Sequence, residues 1–112
     1  LNDKILPIIK IIPSNDFYDF DAKYKSEETR FLFPELSQEK ISMISDQVMK
    51  SFNALGCKTW ARVDFFISDD SVILLEINTI PGMTDHSLVP KAAREYGMSY
   101  YQLILEIMGI DA

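Results

Sequence analysis

The chain has 112 residues, 47% of them hydrophobic, and a net charge of −6 at pH 7. That size suits one soluble domain, and its apolar runs, broken by residues such as Lys10, fall far short of the about 20 residues that a membrane span needs. The acidic balance argues against a general nucleic-acid or anionic-membrane binder, because those partners need clustered Lys and Arg. It leaves room for a nucleotide, since one or two basic groups with metal ions can hold a triphosphate whatever the net charge. The single cysteine, Cys57, excludes an intramolecular disulfide framework and agrees with a reducing cytoplasm. No charged-then-apolar leader opens the chain, and its start at Leu1 rather than Met suggests a fragment.

Residues 5–12 (Ile-Leu-Pro-Ile-Ile-Lys-Ile-Ile) are β-branched and apolar on both faces, which predicts a strand covered on both sides. Pro7 cannot donate to a ladder and belongs at an edge or near the strand start. Pro13-Ser14-Asn15-Asp16 ends the strand with turn chemistry. From Phe17 to Phe33, aromatic and charged residues alternate with neither a helical nor a strand period. The expectation is a long loop, extended at both ends, of the kind that serves as a lid over a ligand, with Lys23 and Tyr24 as the members able to reach one; a solvated surface loop is the alternative.

Ser37 to Leu55 carries the clearest helical pattern: Ile41, Ile44, Val48, Phe52 and Leu55 recur at spacings of three and four. Ser37 suits the N-cap, Glu39 the positive first turn, and Gly56 the residue just past the end.

Two apolar runs then flank Ser68-Asp69-Asp70-Ser71, the signature of a β-hairpin. Alternation puts Val63, Phe65 and Ile67 on one face of the first strand, and Ile73, Leu75 and Ile77 on one face of the second. Matching these apolar sets requires odd residues to pair with odd ones, which predicts a turn of three residues (69–71) or five (68–72). The same register aligns Arg62, Asp64, Glu76 and Asn78 on the opposite face. Three oxygen-bearing side chains beside a guanidinium make a candidate site for a hard cation and an anion, since Mg²⁺ prefers carboxylate and amide oxygens together with substrate phosphates. A solvated polar face, which most antiparallel hairpins have, is the competing reading.

Ile80 to Leu88 reads as a tight loop in which Gly82 offers backbone freedom and close approach, and Ser87 begins a helix whose free N–H groups attract anions. Pro90 at a first helical position and Gly97 past the end bracket a short helix. Ser99 with Gln102 is a capping-box signature for a last helix that turns Leu103, Ile104, Ile107 and Met108 inward. His86, alone in its loop, is ordinarily a surface or hydrogen-bonded residue.

These residues together carry a resemblance. Arg62-Val-Asp64, then Leu74-Leu-Glu76-Ile-Asn78-Thr-Ile-Pro81-Gly82-Met83-Thr84 and His86-Ser87-Leu88-Val-Pro90, resemble the C-terminal part of the D-alanyl-D-alanine ligases, which are ATP-grasp enzymes, and the segment from Phe17 to Tyr24 resembles that family's mobile loop. The resemblance implies that Asp64, Glu76 and Asn78 are ligands of two Mg²⁺ ions, with Mn²⁺ as a substitute, bridging the ATP phosphates. It implies that Arg62 stabilises the tetrahedral intermediate and that the backbone at Gly82 forms its oxyanion contact. It further implies that Ser87 and Leu88 bind the second D-alanine, that Phe17, Lys23, Leu75 and Glu76 serve the nucleotide, with Lys23 on phosphate, and that Tyr24 closes over the first D-alanine and favours dipeptide over depsipeptide. Asp21 stands where the family commonly has glutamate and Ala61 where it has glycine.

The implied activity is ATP-dependent ligation of two D-alanines through an acylphosphate, for peptidoglycan precursor synthesis, in a cytoplasmic homodimer that binds neither nucleic acid nor membrane. The family's glycine-rich phosphate loop, upstream ATP lysines and first-substrate segment are not in these residues. Residues 1–112 therefore read as the C-terminal part of an ATP-grasp domain, with its mobile loop over about 14–34 and the N-terminal domains absent, expected to be inactive alone. The alternatives are another ATP-grasp carboxylate–amine ligase and a non-catalytic interaction domain. The expected fold is α+β: a mainly antiparallel sheet, built from the first strand and the hairpin, packed by helices.

Overall fold

The computed structural model of the chain describes residues 1–13 and 30–110. Its elements follow the order β1 (Lys10–Ile12), β2 (Arg30–Leu32), α1 (Gln38–Ala54), β3 (Arg62–Ser68), β4 (Ser71–Asn78), α2 (Leu88–Tyr96) and α3 (Tyr100–Met108). The α+β class holds, but the single sheet divides in two. Among the described residues, β1 pairs antiparallel with β2, β3 with β4, and no ladder joins the pairs. The first strand is also shorter than its apolar run, with residues 5–9 half-buried and outside any ladder. Pro7, which lacks an N–H, falls in that stretch. The strand is not covered on both sides, since Ile11 is exposed. The predicted extended end of the long loop is β2 itself, whose Leu32, Phe31 and Arg30 face Lys10, Ile11 and Ile12.

The helices form where their caps direct. The Ser37 side chain accepts from the Lys40 N–H at the start of α1, and Gly56 follows its end with φ 75°. Ile44 and Phe52 of its stripe are buried, whereas Leu55, the C-cap residue, lies past the last turn and is exposed. At α3 the Ser99 and Gln102 capping box is complete in both directions. Leu103 is fully buried, but Met108 at the last position is exposed, contrary to its inward assignment, because α3 ends there at Gly109 and the neighbouring core stops short of it. α2 begins earlier than its proline suggested, with Ser87 as N-cap and Leu88 first, so Pro90 is the third residue of the first turn. Its missing N–H is harmless there, since first-turn N–H groups have no intrahelical acceptor.

Val89, Ala93, Met98 and Leu103 form the core between α2 and α3, with Leu6, Trp60, Met83 and Ile107 packed against it. Lys4 and Glu106 form an ion pair that ties the N-terminal segment to α3. The core thus packs against Trp60, just before β3, and against Met83 in the loop after β4.

Candidate active site

The hairpin turn is shorter than parity required. Ser68 pairs with Ser71, which leaves the two-residue turn Asp69-Asp70, with Asp69 at φ 53°. Asp tolerates this left-handed geometry, and two-residue turns with a positive φ match strand twist. The even turn pairs Ile67 with Val72, Phe66 with Ile73 and Phe65 with Leu74. The register then shifts between Asp64 and Phe65: Asp64 pairs with Glu76, Val63 with Ile77 and Arg62 with Asn78. Leu75 is the extra residue of a β-bulge, the device by which one strand absorbs a residue that its partner lacks. The three- or five-residue turn and the pairing of the outer apolar sets are therefore incorrect, because the parity argument assumed an unbroken ladder. At the base of the hairpin the odd–odd register stands, and Arg62, Asp64, Glu76 and Asn78 share one face.

On that face Arg62 clamps Asp64 with two parallel hydrogen bonds, Nε to Oδ1 at 2.9 Å and Nη2 to Oδ2 at 3.1 Å. Its Nη2 also lies 3.8 Å from Glu76 Oε1. Two carboxylates placed directly opposite each other repel, and the guanidinium between them offsets that cost. The hydrogen bonding of Arg62 to the Asp64 carboxylate is the main reason that Arg62 is held even more firmly protonated than usual. The side-chain oxygen of Asn78 accepts from the Ile80 N–H at 3.0 Å, which turns the chain out of β4. Leu75, expected at the nucleotide, is exposed.

Two carboxylates and an amide oxygen are a donor set for a hard cation such as Mg²⁺. Among the described residues, no group of three His, Cys, Asp or Glu side chains converges. A cation held by Asp64, Glu76 and Asn78 would thus complete its shell with water or substrate oxygens, as Mg²⁺ commonly does. Asp64 would exchange its Arg62 hydrogen bonds for the cation.

Beside this face lies a pocket of about 220 Å³, lined by Phe31, Arg62, Pro81, Gly82, His86, Ser87, Leu88 and Val89. Sequence-selected Arg62, Gly82, Ser87 and Leu88 thus meet in one cavity. Ser87 Oγ accepts from the Thr84 N–H at 3.0 Å and lies 2.8 Å from Thr84 Oγ1, so it is turned toward the loop and caps no N–H of α2. The N–H groups of Leu88 and Val89 are left for another acceptor, the arrangement in which helix starts bind anions. Gly82 is required for closeness, not for a left-handed backbone: a Cβ there would lie 2.9 Å from Ser87 Oγ. Two side chains hold this loop from behind, Tyr100 donating from its hydroxyl to the Met83 carbonyl at 2.7 Å and Arg94 to the Asp85 carbonyl at 3.1 Å. Neither contact carries a sequence signal, because both span long separations. The Thr84 and Ser87 spacing does, as a local hydroxyl–backbone motif. Phe17, Lys23 and Tyr24 lie outside the described residues.

The hairpin's acidic face and the adjoining glycine–serine cradle sit on the α+β frame of the C-terminal part of ATP-grasp ligases. Within that class the chain matches, over residues 2–109, the family described as the D-ala D-ala ligase C-terminus, and it belongs to that family. It is 48% identical over 110 residues to a D-alanine–D-alanine ligase of Saccharophagus degradans, covering 96% of this chain and 35% of that protein. It is 40% identical over 114 residues to one of Mannheimia succiniciproducens, covering 100% and 37%. The chain thus spans about a third of the length of these relatives. Among solved structures it resembles the Bacillus anthracis D-alanine–D-alanine ligase complexed with ATP, with a TM-score of 0.81 at 36% identity, covering 96% of this chain and 36% of that one. It also resembles the Enterococcus faecalis VanG D-Ala:D-Ser ligase, with a TM-score of 0.76 at 29% identity, covering 94% and 31%.

Proposed function

We propose that these residues form the metal- and acceptor-binding third of a cytoplasmic, homodimeric D-alanine–D-alanine ligase that uses ATP to make a peptidoglycan precursor. The observation that carries this reading is the meeting of the Arg62–Asp64–Glu76–Asn78 face with the pocket of Gly82, Ser87 and Leu88 through Arg62, which belongs to both. Among the described residues, no helix is long and apolar enough to cross a membrane.

In this reading Asp64, Glu76 and Asn78 would hold two Mg²⁺ ions, for which Mn²⁺ could substitute. Bound there, the metal neutralises charge on the phosphates of ATP. An oxygen of the donor D-alanine's carboxylate attacks the γ-phosphorus and ADP leaves. The acceptor's amine, having given a proton to solvent, attacks the carbonyl carbon of the acylphosphate so formed, the carbon–oxygen bond to phosphate breaks, and the departing phosphate takes up the amine's second proton. Arg62 and the Gly82 N–H face the charge that develops on the carbonyl oxygen, a role for fixed donors in a partly buried site. Ser87 and the start of α2 hold the acceptor's carboxylate, and Leu88 packs beside it. Phe17, Lys23, Leu75 and Tyr24 keep the nucleotide and donor roles that the sequence resemblance gives them. What this chain contributes is chiefly position and charge.

The test uses the complete enzyme carrying these residues. D-Alanine-dependent phosphate release from ATP, with D-alanyl-D-alanine as product and no dipeptide from the isolated 112-residue chain, is the expected result. Release that depends on a different amino acid and ignores D-alanine contradicts the assignment, and dipeptide synthesis by the isolated chain contradicts the division of the site.

A further inference from the structure

We infer that Phe31 is a wall of the acceptor subsite that limits the size of the accepted amino acid, and that Lys91 is the positioning residue that holds the ring in place. The inference rests on the ligase reading above and extends it to two residues outside the motif. Phe31 lies in β2, far in sequence from the hairpin, yet lines the pocket shared by Arg62, Gly82, Ser87 and Leu88. The part of the pocket that these residues bound is about 220 Å³, and the Phe31 ring belongs to its lining, so the bulk of that ring bears on what fits there.

The ring is not left to its own rotamers. The Lys91 ammonium sits over its face, 4.7 Å from the centroid, within the about 6 Å reach of a cation–π interaction. Lys91 follows Leu88 by three positions in α2 and Ser87 by four, donating its backbone N–H to the Ser87 carbonyl at 3.2 Å. Residues at these spacings lie on one side of a helix. The element that presents Ser87 and Leu88 to the acceptor therefore also sets a cation over the Phe31 ring. Polar groups at Ser87, Arg62 and the start of α2 meet the acceptor's carboxylate, while Phe31, Pro81 and Leu88 surround its side chain. The chemistry selected is a small α-amino acid with a short apolar side chain.

The experiment measures initial rates of the complete enzyme as D-alanine is varied, separating the donor and acceptor KM values, with D-2-aminobutyrate as a bulkier competing acceptor. Phe31→Ala is expected to raise the acceptor KM about tenfold with the donor and ATP KM values unchanged, and to improve use of D-2-aminobutyrate relative to D-alanine. Lys91→Met is expected to move the acceptor KM in the same direction, and Lys91→Arg, which also stacks on aromatic faces, to restore it. Phe31→Leu, which keeps apolar bulk, carries the selectivity test if the alanine variant does not fold. An acceptor KM within about twofold of wild type, or donor and acceptor KM values rising together without a change in selectivity, overturns the wall. A wild-type enzyme without D-alanine-dependent turnover overturns the ligase reading and the wall with it, whereas an effect missing only from the variants overturns the wall alone.

Discussion

Gly82 shows how one missing side chain sets a site. Its backbone needs no unusual conformation, but the Ser87 hydroxyl lies where its Cβ would be, at 2.9 Å. Gly82→Ala in the complete enzyme should therefore push Ser87 away from Thr84 and lower kcat/KM by about a hundredfold, equal to about 2.7 kcal/mol. Steady-state kinetics with D-alanine varied check this, and unchanged acceptor kinetics would mean that Ser87 yields without consequence. The sequence disclosed Gly82 as a point of close approach, and the structure identifies what approaches. Ser87 was legible as a helix start. Its Thr84 partner could have been found from spacing, whereas the Tyr100 and Arg94 props could not, since nothing local links them to the residues they hold.

At the scale of elements, caps were the most legible feature. Ser37, Gly56, Ser99 with Gln102, and Gly97 act within a turn of their own position, so neighbouring residues determine them. The hairpin shows the opposite limit. Parity placed Arg62, Asp64, Glu76 and Asn78 on one face but gave the wrong turn length, because the Leu75 bulge removes one residue from the ladder and periodicity cannot see it. The division into two sheets was equally hidden, since ladder partners far apart in sequence leave no local pattern. Long-range ties can still be tested. Lys4 hydrogen-bonds to the Glu106 carboxylate and holds its pKa below the ordinary 4.5, while Glu106 raises the Lys4 pKa above 10.5. The depressed carboxyl contributes stability that is present above pH 4.5 and lost as pH falls through its lower folded value; the raised amine contributes stability that is present below pH 10.5 and lost as pH rises through its higher folded value. Denaturant unfolding of the complete enzyme across pH should therefore show a shallower acid-side loss in Glu106→Gln than in wild type. Parallel acid limbs would show that the pair does not couple to folding.

Among the described residues, the hairpin carries a run of exposed apolar side chains. Phe66, Ile73, Leu74 and Leu75 are exposed, as is Ile80 beyond it, at 83%. The buried cluster between α2 and α3 lies apart from these, with Trp60 before β3 and Met83 of the Gly82 loop packed against it. The acidic face lies at the base of the hairpin, where Arg62 and Asp64 are half-buried and Glu76 is exposed, and the small pocket adjoins it through Arg62. The most direct measurement is the Mg²⁺ dependence of ATP turnover by the complete enzyme, compared for wild type, Asp64→Asn and Asp70→Asn. Asp64 is on the shared face and Asp70 at the hairpin tip, so the two variants remove the same charge from opposite ends of one hairpin. Asp64→Asn should raise the Mg²⁺ concentration for half-maximal turnover by about 10–100-fold, with Asp70→Asn at the wild-type value. Equal Mg²⁺ dependence in all three proteins would contradict the assignment of that face to the metal.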